Sequence, residues 1–174
     1  MTRVEVRICG LGGQGVVLAG HLLGRAAVYD GKKVVQTQSY GAEARGSAAK
    51  SEVIISDNSI GFPMIRNCDI LVAMSQTALD KYVDDLKGNA LLLVDKDLVQ
   101  DTPKVKARVH RLPATHIAGT RLKSEMYANV VMLGALTQIT KIVSQTSMRR
   151  AIEATVKADA VRENLQAFEL GFSL

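Results

Sequence analysis

Val4-Glu5-Val6-Arg7-Ile8-Cys9-Gly10-Leu11-Gly12-Gly13-Gln14-Gly15-Val16-Val17 is the stretch that decides the fold. Its first half alternates apolar and charged side chains, the period of a strand, and the cluster Gly10–Gly15 stops it. Beyond the glycines, Val16, Leu18-Ala19, Leu22-Leu23 and Ala26-Ala27 recur at helical spacing as far as Asp30. Strand, glycine turn and helix form the context in which G-x-G-x-x-G has a mechanism. The turn is tight, the backbone can be approached closely, and helix amides face phosphate oxygens.

A dinucleotide site asks for more, an Asp or Glu closing the second strand to bind ribose hydroxyls. The second strand, Lys33–Gln38, runs out in Val35-Gln36-Thr37-Gln38-Ser39 without a carboxylate. Gly10, Gly12, Gly13, Gln14 and Gly15 therefore suit a phosphate, another anion or a partner's chain better than a nicotinamide cofactor. The plainer alternative is that the glycines serve only helix–strand packing.

Further strands are expected at Lys50–Ser56, Asp69–Met74, Ala90–Val94 and Arg108–Leu112. A helix is expected over Thr77–Leu86, with Gly88-Asn89 as its stop. Ser124–Lys141 reads as a helix apolar nearly all round, packed by its own sheet or by a neighbouring subunit. A last helix is expected after a Ser147 cap, with the stripe Met148, Ile152, Val156, Val161, Leu165 and Phe168. The alternation predicts an α/β, Rossmann-like fold: a mostly parallel twisted sheet with helices on both faces, one domain over residues 1–174.

The second informative loop is Ser39-Tyr40-Gly41-Ala42-Glu43-Ala44-Arg45-Gly46-Ser47. It leaves the carboxyl end of strand two, the edge where open α/β sheets bind ligands, and is expected beside the glycine turn. Arg45 suits bidentate contact with a carboxylate or phosphate. Alternatively, Glu43 and Arg45 pair with each other and merely shape the loop.

Composition narrows the classes further. Of 174 residues, 47% are apolar and 22% charged, a globular balance that excludes a disordered or fibrous chain. The net charge of +5 is scattered, there is no Trp, and four Tyr with three Phe make no base-stacking platform, so nucleic acid is not expected. Two cysteines without a CxxC supply neither a zinc site nor an iron–sulfur cluster from this chain alone. They read as buried reduced thiols of a cytoplasmic protein. Ile8–Gly24, free of Asp, Glu, Lys and Arg, is too glycine-rich for a membrane span, and the N-terminus lacks signal-peptide anatomy. His21, His110 and His116 are scattered, and no catalytic or metal-binding constellation is expected.

The glycine turn and the Tyr40 loop together resemble the gamma subunit of 2-oxoacid:ferredoxin oxidoreductases. The similarity continues through Asp69-Ile70-Leu71-Val72-Ala73-Met74-Ser75-Gln76, Leu112-Pro113-Ala114-Thr115 and Asn129-Val130-Val131-Met132-Leu133-Gly134-Ala135-Leu136. It covers most of the chain in order. The resemblance implies a non-catalytic subunit of a complex that decarboxylates a 2-oxoacid on thiamine diphosphate. Electrons would pass through iron–sulfur clusters to ferredoxin, and the acyl group to coenzyme A. In that family thiamine diphosphate lies between the alpha and beta subunits and the clusters lie in beta or delta; gamma is associated with coenzyme A approach and with assembly. The resemblance carries coenzyme A to an edge formed by Gly10, Gly12, Gly13, Gln14, Gly15, Tyr40, Gly41, Glu43, Arg45 and Gly46. Two other classes remain open, a stand-alone dinucleotide-binding protein and a purely structural assembly module. The isolated chain, if an apolar partner surface is left bare, is expected to form a homodimer.

Overall fold

The computed structural model describes residues 3–40 and 48–174. Gly41, Glu43, Arg45 and Gly46 of the predicted site lie outside the described residues. The strands are β1 (Arg3–Leu11), β2 (Lys33–Ser39), β3 (Ala48–Ser56), β4 (Cys68–Ala73), β5 (Leu86–Asp95) and β6 (Ala107–Leu112). The helices are α1 (Val16–Tyr29), α2 (Gln76–Tyr82), α3 (Ala114–Arg121), α4 (Ala128–Thr140), α5 (Gln145–Glu153) and α6 (Val161–Phe172).

The strands form one sheet in the order β2-β3-β1-β4-β5-β6. β1, β4, β5 and β6 pair in parallel, whereas β3 runs antiparallel to both β1 and β2. The expected mostly parallel sheet is present, with one reversed strand inserted beside β1. Successive side chains point to opposite faces. Val6, Ile8, Val72 and Leu93 therefore join α1 and α4–α6 in the larger core, and Cys9, Leu71 and Leu92 join α2 in the smaller one.

Glycines let helices sit close. A Cβ at Gly20 of α1 would lie 2.0 Å from Ser51 Oγ of β3. A Cβ at Gly134 of α4 would meet the Phe168 carbonyl oxygen at 2.2 Å, and one at Gly171 of α6 the Val131 oxygen at 1.9 Å. α4 and α6 thus cross nearly backbone to backbone.

Four expectations change. α2 ends at Tyr82, and Gly88-Asn89 lies inside β5, where Asn89 takes φ 64° opposite a register shift in β4. A helix over Ala114–Arg121 was not expected, because its apolar residues make no clear stripe. The expected last helix is two: Ser144, not Ser147, caps α5 by accepting from the Ser147 amide, and the chain breaks before α6. The apolar helix begins only at Ala128, and Ala128–Thr137 is buried within this chain, so its composition needs no neighbouring subunit.

Candidate functional site at the carboxyl edge of the sheet

The crossover from β1 leads to β2 on one side, and the later chain returns to β4 on the other. The sheet therefore changes direction at the β1–β4 boundary, where open α/β folds bind ligands. The glycine turn sits at this point, and side chains from distant elements hold it. Gln14 Oε1 accepts from the Leu11 amide at 2.6 Å, and Gln14 Nε2 donates to the Met74 carbonyl at 2.8 Å. Gln14 thus ties the turn to the end of β4. Asn129 Nδ2 donates to the Gly15 carbonyl at 3.0 Å, tying it to the start of α4.

The glycines divide by role. A Cβ at Gly10 would lie 2.5 Å from Gln14 Oε1 and 3.2 Å from Met74 Cβ. Gly15 takes φ +70°, and a Cβ there would fall 2.3 Å from Asn129 Nδ2. Both positions are closed by packing. Nothing stands within 4 Å of the Cβ positions at Gly12 and Gly13, so these two face open space. α1 has no side-chain cap and no acidic residue in its first turn, which leaves its leading amides without a side-chain partner.

Beyond the turn lies a cavity of about 180 Å³ between Gly13, Gln14, Met74, Leu98, Thr115 and Met126. Met126 is 69% exposed on the turn before α4, and Glu125 also lines the cavity. The N-terminus of α3 faces the same edge but is already occupied. Asp95 Oδ2 accepts from the Thr115 amide at 3.1 Å and its hydroxyl at 2.6 Å, and Asp97 Oδ2 accepts from the His116 amide at 2.8 Å. Burial pushes the Asp95 carboxyl up from its ordinary value, against these hydrogen bonds. An anion arriving here finds the α1 amides open and the α3 amides taken.

Tyr40 follows β2 and is 64% exposed on the same edge, as expected of that loop's start. It is not immediately beside the turn. β3 intervenes between β2 and β1, so the end of β2 stands two strand spacings, about 10 Å, from the glycines. This separation, with the missing carboxylate, removes the ribose-binding half of a dinucleotide site. Sequence reasoning did not single out Asn129 or Asp95. The available signals were a polar residue heading an apolar helix and a carboxylate closing an apolar strand.

Cys9 and Cys68 are free and buried, and burial pushes both thiols up, Cys68 to about 11. His21 and His116 are exposed and His110 is half-buried, each on a different element. Among the described residues no group of three or more His, Cys, Asp or Glu is placed to hold a metal ion, and no helix is long and apolar enough to cross a membrane.

Residues 5–174 match the family model described as pyruvate ferredoxin/flavodoxin oxidoreductase. The 2-oxoglutarate synthase subunit KorC of Methanocaldococcus jannaschii is 51% identical across 99% of this chain and 94% of its own length. Among solved structures, the keto/oxoacid ferredoxin oxidoreductase gamma subunit from Geobacter sulfurreducens superposes with a TM-score of 0.88 at 43% identity, over 98% of this chain and 96% of that one. The 2-oxoglutarate:ferredoxin oxidoreductase from Magnetococcus marinus, solved with 2-oxoglutarate, coenzyme A and succinyl-CoA bound, shares the fold: its TM-score is 0.88 at 21% identity, over 99% of this chain and 31% of that one. With a fold and extent matching a gamma subunit throughout, the chain belongs to the pyruvate ferredoxin/flavodoxin oxidoreductase family.

Proposed function

We propose that this chain is the gamma subunit of a 2-oxoacid:ferredoxin oxidoreductase acting on 2-oxoglutarate, and that its Gly12–Gly13 edge is where coenzyme A approaches. Identity of 51% to a 2-oxoglutarate synthase subunit over nearly the whole of both chains supports the choice of oxoacid. The single observation that carries the coenzyme A assignment is the open space over Gly12 and Gly13 beside uncapped α1 amides. Coenzyme A, when bound, supplies the thiol that accepts the acyl group. The residues of this chain would do the holding: the α1 amides and Arg45 take phosphate charge, and exposed Met126 and Tyr40 offer apolar contact. Gly41, Glu43 and Gly46 stay with Arg45 in the proposed coenzyme A contact set, as the family resemblance gives them.

An iron–sulfur cluster does not fit this chain: its two cysteines are buried and fall short of the four thiolates a cluster needs, so beta or delta subunits would carry the clusters. Thiamine diphosphate would lie between the alpha and beta subunits, as the family resemblance implies. Ferredoxin would be met through the complex. Two buried free thiols accord with a cytoplasmic setting.

The test is native purification on a tag at this chain, with thiamine and iron assayed in the eluate and 2-oxoacids supplied in turn. Co-purifying larger subunits and coenzyme A-dependent acceptor reduction with 2-oxoglutarate are expected. A bare chain without cofactor would overturn the proposal. A purely structural role is the second reading, favoured by the packing duties of Gly10, Gln14 and Gly15. It predicts that turn variants which still assemble keep full turnover.

A further inference from the structure

The two edges of the sheet are protected very differently. β6 carries Arg108 and Arg111, and Arg111 folds back to donate to Thr102 Oγ1 at 2.5 Å and to the Val99 carbonyl at 2.8 Å. Charge and cover of this kind keep other strands off an edge. β2 has neither. After Lys33 it reads Val-Val-Gln-Thr-Gln-Ser, and its register with β3 runs unbroken from Lys33↔Ser56 to Ser39↔Lys50, without a bulge. Among the described residues nothing pairs with its outer side.

A groove of about 510 Å³ runs beside this edge, between β2 and the outer stripe of α1. Val34 and Gly24 form its floor, and a Cβ at Gly24 would already press to 3.3 Å from Val34 Cγ1. Val28, 55% exposed, and Tyr29 form its wall. An open strand edge flanked by an apolar groove is the geometry that accepts an added strand. The backbone supplies hydrogen bonds, and the groove takes alternate side chains.

Charge selects the occupant. Among the described residues Arg25 donates only to neutral groups, the Tyr29 hydroxyl at 3.1 Å, the Ala154 carbonyl at 2.9 Å and Thr155 Oγ1 at 3.2 Å. Arg150 stacks on the Tyr29 ring at 4.1 Å. Among the described residues, neither of these two forms an ion pair with a carboxylate. A second copy would bring another β2, with its lysine and no acidic residue, to a groove rimmed by cations. We infer that the β2 edge and the α1 groove bind an extended segment of a partner chain, added as a seventh strand, with apolar side chains at alternate positions and carboxylates facing Arg25 and Arg150.

This inference rests on the subunit reading only in that the partner belongs to the complex. The test is hydrogen–deuterium exchange of β2 amides in the isolated chain and in the complex purified on this chain. An edge strand turns alternate amides outward, so about half of those in 34–39 should slow at least tenfold on assembly. Val28→Glu should lower the assembled fraction about tenfold without moving the melting temperature of the isolated chain, and Val28→Leu should assemble normally. A recovered complex whose β2 amides exchange as fast as those of the free chain would overturn the inference and leave the subunit reading intact. Protection that rises with the concentration of the isolated chain would assign the edge to a second copy and likewise overturn it. Recovery of no complex would overturn both.

Discussion

The side-chain amide of Asn129 donates to the carbonyl of Gly15 at 3.0 Å, joining the start of α4 to the N-cap of α1 across 114 positions of sequence. That carbonyl also accepts the Ala19 amide at 2.9 Å, so Asn129 fixes the turn without being needed to satisfy it. Asn129→Ala should cost about 1–2 kcal/mol. Asn129→Asp sets a carboxylate oxygen against a carbonyl and should cost about 3 kcal/mol. Chemical denaturation checks both, and an Asp variant as stable as the parent would contradict the arrangement.

Arg7 is only 2% exposed beneath α2. Its Nε donates to Glu52 at 2.8 Å, its Nη1 meets Asp85, and its guanidinium lies 5.2 Å from the Tyr82 ring centre. Burial works against its charge, but Glu52 foremost, with Asp85 beside it, leaves the guanidinium harder to deprotonate than usual. Arg7→Met strands a buried carboxylate that Lys50, at 2.9 Å, and the Thr37 hydroxyl, at 3.3 Å, still answer. The expected loss is about 3 kcal/mol, and Arg7→Met with Glu52→Leu should recover much of it. Equal instability of the single and double variants would show that the pair is not coupled.

Acid should weaken the fold partly through Asp30. Burial alone would raise its carboxyl, but Ser147 Oγ at 2.6 Å, the Ser144 amide at 2.6 Å and Ser144 Oγ at 2.7 Å hold it below its ordinary value. Glu5 is held low in the same way by Lys87 and Arg3. A carboxyl whose folded value lies below its unfolded value contributes stability above the unfolded value, about 4, and loses it as pH falls through the folded one. Stability should therefore decline below about pH 4, and Asp30→Asn should flatten part of that decline. An unchanged pH slope in Asp30→Asn would contradict the assignment.

Much of this architecture was legible in the sequence. The strand around Ile8 alternates apolar and charged residues, those around Val72 and Leu92 are apolar runs of the kind a sheet buried on both faces shows, and the glycine cluster marks the first turn by itself. What escaped was decided by tertiary context. Gly88-Asn89 has turn chemistry, yet the pairing of Leu86 with β4 before it and of Ala90 with β6 after it carries it through β5 as an irregularity. The antiparallel insertion of β3 left no local trace, because Lys50–Ser56 reads alike in either direction. At the site, Gly10, Gln14 and Gly15 proved to be bound into packing, while Gly12 and Gly13 alone face open space. A pattern of glycines cannot show that division, since it depends on Met74 and Asn129, far away in the chain.

The most direct measurement is the apparent KM for coenzyme A of the purified complex carrying Gly12→Ala, with Arg45→Ala beside it. The Gly12 Cβ would enter empty space and disturb no neighbour, so folding and assembly should be unchanged. If phosphate charge approaches this edge, KM for coenzyme A should rise about tenfold, worth about 1.4 kcal/mol, while KM for the 2-oxoacid stays put. Unaltered coenzyme A kinetics in both variants, in a complex that assembles normally, would contradict the assignment and leave this chain a structural part of the enzyme.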